Sequence, residues 1–201
     1  VGSEMCIRDS FRGFAGYWAV AAGQETAMEG EWRQGPGKAL FTALRTALGD
    51  RAKIMAEDLG VITPDVVALR ESIEAPGMVV LQFAFDGNPR NPHKPHNHYE
   101  NCYVYTGTHD NDTSLGWFQG ASEEERARAL AYLCVESSRE ADMPWALIEG
   151  GMASVAATCI IPLQDIMGLD NEARMNLPGT TDGNWAWRAG GGDMWGELSG
   201  E

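Results

Sequence analysis

KIMAEDLGVITPDVVALRESIEAPGMVVLQFAF, residues 53–85, holds two apolar runs on either side of a helix signal. The first run, residues 53–56 (KIMA), is short and stops at Glu57-Asp58-Leu59-Gly60. Thr63 then stands where a helix N-cap belongs and Pro64 at the first helical position. Proline is tolerated there because that backbone N–H has no intrahelical partner to lose. A helix is predicted from this point to about Ile73. Residues 78–85 (MVVLQFAF) are continuously apolar apart from Gln82, as a strand buried on both faces would be. A short run, a helix and a buried strand at this spacing form the βα pattern of a parallel sheet.

The same alternation extends both ways. Residues 38–48 (KALFTALRTAL) put Leu40, Phe41, Leu44 and Leu48 at helical spacing, after a Gly-Pro-Gly start and before Gly49. Downstream, residues 86–101 read as a long loop rich in Pro, Asn and His. Residues 102–106 (CYVYT) are the next strand, ending in Gly107-Thr108-His109-Asp110-Asn111-Asp112. A helix is predicted from Ser122 to about Glu140, with Glu123, Glu124 and Glu125 in the first turn, where the helix dipole favours acids. A second helix, from Pro144 to about Ala153, leads into residues 154–163 (SVAATCIIPL), which contain the last strand. Residues 165–168 read as a short helical turn. No fixed-period repeat and no Pro/Ser linker divides the chain.

Composition narrows the partners. The 201 residues carry 15 Lys plus Arg against 29 Asp plus Glu, a formal net charge of -14. Such a chain is ill suited to nucleic acid or an anionic membrane surface, because both are polyanions. No apolar run approaches the ~18 residues of a transmembrane helix. Cys6, Cys102, Cys134 and Cys159 lie far apart with no C-x-x-C among them, which argues against a zinc ribbon or a thioredoxin-type site and for reduced thiols in the cytoplasm. Residues 1–10 (VGSEMCIRDS) have neither a basic nor an apolar leader region, so they do not read as a signal peptide. The string resembles translated sequencing-adapter DNA, and a non-native leader is expected there. Residues 189–201 form a glycine-rich tail.

In parallel α/β folds functional side chains gather where strands end. Two such places here hold acids: Glu57-Asp58 and His109-Asp110-Asn111-Asp112. Each could be structural, capping a helix or pairing with a buried arginine. Both stand at ends of the same expected sheet and therefore face one crevice. Paired carboxylates suit glycoside chemistry, in which one acid protonates the leaving oxygen and the other attacks or stabilises the sugar cation. The His-Asp-Asn-Asp run could instead offer oxygen ligands to a metal, but it lacks the D-x-[DN]-x-[DN]-G spacing. The histidine-rich residues 92–98 (PHKPHNH) are open to three readings: loop scaffold, sugar contact or metal site. Trp117, Trp185 and Trp187 could stack on sugars or simply pack. Residues 14–18 (FAGYW) could line a groove, core packing being the plainer reading.

Four long blocks in order, residues 56–70 (AEDLGVITPDVVALR), 76–85 (PGMVVLQFAF), 105–118 (YTGTHDNDTSLGWF) and 173–188 (ARMNLPGTTDGNWAWR), resemble the amylomaltases, the 4-alpha-glucanotransferases of glycoside hydrolase family 77. The resemblance covers residues 11 to about 188. It implies an α/β fold, the C-terminal portion of a (β/α)₈ TIM barrel from about strand 4 or 5 to strand 8, truncated at the N-terminus. A whole barrel typically needs ~250 residues. By the same resemblance Glu57 is the general acid/base at the end of the fifth strand. Asp110, at the end of the seventh, binds sugar hydroxyls and stabilises the transition state. His109 and Asn176 contact the substrate. Asp9 falls at the nucleophile position of the family's Arg-x-Asp-His-Phe-Arg-Gly-Phe. Here, however, Ile7 stands for the arginine and Ser10 for the histidine, and a non-native leader would make the coincidence accidental. The implied partner is an α-1,4-glucan or maltooligosaccharide; no cofactor and no metal are implied, and the oligomeric state is left open. The alternatives are a non-catalytic fragment with weak glucan binding and a related α-glucan hydrolase. A partial barrel would leave strand edges and apolar faces uncovered.

Overall fold

A computed structural model describes residues 10–49, 53–60 and 62–190. The chain falls into two units, Val1–Met78 and Val79–Glu201. The first opens with a one-turn helix, α1 (Arg12–Ala15), and a hairpin of β1 (Gly16–Ala19) against β2 (Glu31–Gln34). The hairpin is antiparallel, with Trp18 opposite Trp32. It was not expected: β2 is exposed along its length, so no alternation of polar and apolar residues marks it. Two helices follow, α2 (Gly37–Leu48) and α3 (Pro64–Ser72).

Phe11, Phe41, Ala56, Val66, Leu69, Ile73 and Ala75 form the core of this unit, with Phe14 and Leu44 packed on it. The spacing read in α2 thus buries Phe41 and half-buries Leu44, whereas Leu48 stays exposed. Phe14 belongs to this packing, its ring 5.1 Å from that of Phe41. Helix α3 starts at Pro64 as predicted, with Thr63 in extended conformation at the N-cap. The Thr63 hydroxyl caps no helix amide; it accepts from Arg12 Nη1 at 3.3 Å. Residues 53–56 are not a strand. Ala56 is nevertheless fully buried, and its N–H donates to Pro76 O at 2.8 Å.

Strands β3 (Gly77–Val80), β4 (Cys102–Tyr105) and β5 (Thr158–Ile160) make a three-stranded sheet in that order. Strands β4 and β5 run parallel, Tyr103 opposite Thr158. The apolar run predicted as one strand to Phe85 breaks at Val80. Its N–H donates to His93 Nδ1 at 3.0 Å, and the chain then winds into a 3₁₀ turn at Leu81–Phe83. Leu81, Ala84 and Phe85 remain buried, so apolarity persisted past the point where the strand ended.

The helices of the second unit are α4 (Ser114–Gly120), α5 (Glu123–Leu133), α6 (Met143–Met152) and α7 (Leu163–Ile166). Helix α4 was not foreseen; the Thr113 hydroxyl caps it, accepting from Gly116 N at 3.0 Å. The helix predicted from Ser122 to Glu140 stops at Leu133, and residues 137–142 form a separate 3₁₀ segment. The core holds Val79, Leu81, Phe85, Val104, Phe118, Met143 and Leu147. Trp117 packs against this core, 5.5 Å from the ring of Phe85, as does Cys159. Among the described residues no helix is long and apolar enough to cross a membrane.

Candidate active site

The polar cluster of the second unit is built on the loop between β4 and α4. Within it His109 and Asp110 meet Asn176, which arrives from a loop more than sixty residues downstream in sequence. Asp110 Oδ1 accepts from Asn176 Nδ2 at 2.6 Å and lies 3.4 Å from His109 Nε2. The Asp110 side chain is 50% exposed, so a ligand has access to it. The ring of Trp185 lies 5.1 Å from that of His109. Trp185 holds φ at 59°, an uncommon conformation for so bulky a residue, and its N–H donates to Met175 O at 2.7 Å. Asn184 closes the same loop, its Oδ1 accepting from Leu177 N at 2.8 Å.

Arg174 ties the two segments together. Its Nη2 donates to Asp110 O at 2.7 Å and its Nε to Asn176 O at 2.9 Å. Its Nη1 lies 3.7 Å from Asp112 Oδ2, which also accepts from Asn171 Nδ2 at 2.9 Å. Asn111 Oδ1 accepts from both the N–H and the hydroxyl of Thr108. Asp112 and Asn111 are thus engaged within the protein, and a guanidinium already stands beside Asp112, an arrangement unlike an oxygen cage for a cation. Among the described residues no group of three His, Cys, Asp or Glu is placed to hold a metal ion. A cavity of about 170 Å³ opens at this cluster, lined by His109, Asp112, Arg174 and Trp187 among others.

Three residues named from sequence, His109, Asp110 and Asn176, are brought together here. The sequence did not point to Arg174, to Asp112 as an ion-pair partner, to Asn171 or to Gln82, whose Nε2 donates to Asp112 O at 2.9 Å. Arg174 sits two residues before Asn176 in the ARMN block and was the one signal available.

Glu57 lies in the first unit. Its carboxylate accepts from Leu59 N at 3.1 Å, and its carbonyl accepts from Phe11 N at 3.0 Å. The adjacent Asp58 is structural. Its Oδ1 accepts from Met78 N at 2.8 Å, and its Oδ2 pairs with Arg70 Nε at 3.1 Å, both side chains being 11% exposed. Burial pushes the Asp58 carboxyl above the ordinary carboxylate range, with the Met78 N–H and Arg70 pulling the other way. Asp9 lies outside the described residues. A larger cavity of about 630 Å³ in this unit is lined by Arg12, Trp32, Thr63 and Asp65 among others, with Ala15 and Gly16 from the stretch read as a possible groove wall; among the described residues Glu57 is not in its lining.

The histidine-rich loop is tied by hydrogen bonds to itself and to the chain around β3. His93 Nδ1 accepts from Val80 N, Asn91 Nδ2 donates to Phe83 O at 2.7 Å, and Asn97 Nδ2 donates to Asn91 O at 2.8 Å. His98 Nε2 is 3.0 Å from His93 O. Burial holds both His93 and His98 below the ordinary imidazole range.

Comparison with known proteins agrees with the four blocks. The glycoside hydrolase family 77 model, described as 4-alpha-glucanotransferase, matches residues 6–191. The chloroplastic/amyloplastic 4-alpha-glucanotransferase of Arabidopsis thaliana is 55% identical over 185 residues, 92% of this chain and 32% of that protein. The 4-alpha-glucanotransferase of Thermus thermophilus is 48% identical over 198 residues, 96% of this chain and 39% of that one. Among solved structures, amylomaltase from Streptococcus agalactiae in complex with acarbose superposes with a TM-score of 0.87 at 32% identity, covering 100% of this chain and 41% of that one. The chain spans about a third of the length of the curated relatives it matches. It belongs to glycoside hydrolase family 77, the 4-alpha-glucanotransferase family.

Proposed function

We propose that the complete enzyme carrying this segment is a 4-alpha-glucanotransferase working by a retaining double displacement. The single observation behind this reading is the His109–Asp110–Asn176 cluster, a half-exposed carboxylate held by two neighbours in a member of this family. In the first step an aspartate attacks the anomeric carbon while Glu57 gives its proton to the departing glycosidic oxygen. The products are a β-glycosyl ester and a shortened glucan. In the second step Glu57 takes the proton from the 4-hydroxyl of an acceptor glucose or maltooligosaccharide, whose oxygen displaces the aspartate. Asp110 and Asn176 accept from and donate to sugar hydroxyls, and the Asp110 charge offsets the oxocarbenium-like charge. His109 contacts the same sugar. The acarbose described in the similar amylomaltase supports a saccharide site.

On this reading residues 53–56 and strands β3, β4 and β5 are the fifth to eighth strands of a (β/α)₈ barrel. The domain is residues 11–188, between a leader of residues 1–10 and a tail of residues 189–201. The free thiols Cys102, Cys134 and Cys159 support a reducing compartment such as the cytoplasm. Asp9 occupies the nucleophile's aligned position, but Ile7 and Ser10 replace the family's arginine and histidine. Residues 1–201 by themselves are therefore proposed to be inactive.

The test is incubation with maltotriose of a complete family enzyme carrying residues 11–188. Glucose plus longer oligosaccharides supports transfer. Shorter sugars alone would make it a hydrolase, and an unchanged substrate would contradict both.

A further inference from the structure

We propose that Asp165 is a positioning residue for the transfer reaction, holding by both ends the loop that presents His109 and Asp110. The proposal rests on the role assigned to Asp110 above. Asp165 lies in α7 and is 1% exposed. Its Oδ2 accepts from the Thr106 hydroxyl at 2.5 Å and from the Ser114 hydroxyl at 2.8 Å, and its Oδ1 accepts from Ser114 N at 2.7 Å. Thr106 directly follows β4 and Ser114 opens α4; both are fully buried. The segment between them, residues 107–113, carries the candidate site. One carboxylate therefore sets the distance between the two ends of that loop, and charge-assisted hydrogen bonds away from water hold direction as well as distance.

Gln82 braces the loop from inside. It is 2% exposed, and its Nε2 donates to Asp112 O. A Cβ on Gly107 would stand 2.5 Å from that same nitrogen, so the loop backbone is seated directly on the amide. With its ends on Asp165 and its inner side on Gln82, the loop offers His109 and Asp110 to Asn176 and to a ligand. The carboxylate serves three donors on the two ends of one loop, which filling a buried space does not require. Its acceptor geometry is what an apolar residue cannot replace.

The experiment uses a complete family enzyme carrying residues 11–188. Asp165→Ala and Asp165→Asn are compared with the parent for melting temperature and for kcat and KM on maltotriose, alone and combined with Asp110→Asn. For Asp165→Ala, kcat per folded molecule should fall about 100-fold, the usual cost of a ~1 Å misplacement, with KM little changed. Asp165→Asn keeps one oxygen acceptor and should fall between the two; it carries the test alone if the alanine variant does not fold. In the Asp110→Asn background Asp165→Ala should cause little further loss, because both act through one group. A kcat within about three-fold of the parent, or an equal fold loss in both backgrounds, would overturn the proposal. If Asp110→Asn itself turns over normally, the role of Asp110 fails and this inference with it. If Asp110→Asn is impaired while the Asp165 variants are normal, only the inference fails.

Discussion

Asp58 neighbours Glu57, the proposed acid/base, but is itself tied into the fold. Asp58 is clamped between the Met78 N–H and Arg70 in a mostly buried pair. Removing one partner of such a pair strands the other charge, so Asp58→Ala is expected to cost about 3 kcal/mol in a denaturant melt. Because burial raises the Asp58 pKa, its proton linkage favours folding fully below the unfolded value and ceases to do so as pH rises through the folded value. The pair therefore gives no protection that acid would remove. His93 and His98 work the other way. Their folded pKa values are lowered by burial, so their contribution is present above the ordinary value and lost as pH falls through the folded one. Melting temperature should drop below about pH 6.5, with up to about 1.4 kcal/mol lost per pH unit for each proton the unfolded chain takes up in excess. The drop should shrink in His98→Asn; an unchanged slope in that variant would contradict the assignment.

At the scale of elements, α5 shows how a helix end is written in backbone geometry. Ser122 caps its start, accepting from Glu125 N at 3.2 Å. Cys134 ends it at φ 56°, ψ 37°, and Val135 N donates back to Leu130 O at 2.9 Å. Leu130 and Val135 both pack on the core, completing a Schellman-type stop. Glycine is the residue suited to that left-handed position, so Cys134→Gly should stabilise the protein by roughly 0.5–1 kcal/mol. Ser122→Ala should destabilise it by about 1 kcal/mol. Differential scanning calorimetry of both variants checks the pair of signs. The stop was illegible in sequence because a cysteine stands where glycine usually signals it. The start of α3 was legible because Thr63-Pro64 announces it. Strand β3 was over-read because the apolar run from Met78 to Phe85 is buried whether it pairs as a strand or winds into a turn.

Over the whole molecule, the alternation of elements and the family were readable from four blocks of sequence, and His109, Asp110 and Asn176, named from those blocks, lie together. What stayed hidden were contacts between distant residues. Arg174 on Asp110, Gln82 on Asp112 and Asp165 on Thr106 join segments with no local periodicity in common. The hairpin was hidden by its exposure, with Trp18 40% and Trp32 58% open to solvent. With these tryptophans, Met28 and the sheet edges at β3 and β5, residues 1–201 expressed alone should self-associate, seen as rising light scattering with concentration. A monomeric, cooperative melt would contradict that expectation. The role proposed for Glu57 is tested by transfer from maltotriose by a complete family enzyme carrying residues 11–188, with and without Glu57→Gln. Glucose and longer oligosaccharides are expected from the parent, and a rate lower by about 10²–10⁴-fold from the variant, whose melting temperature stays close to the parent's. Near-parental turnover by Glu57→Gln would contradict that role.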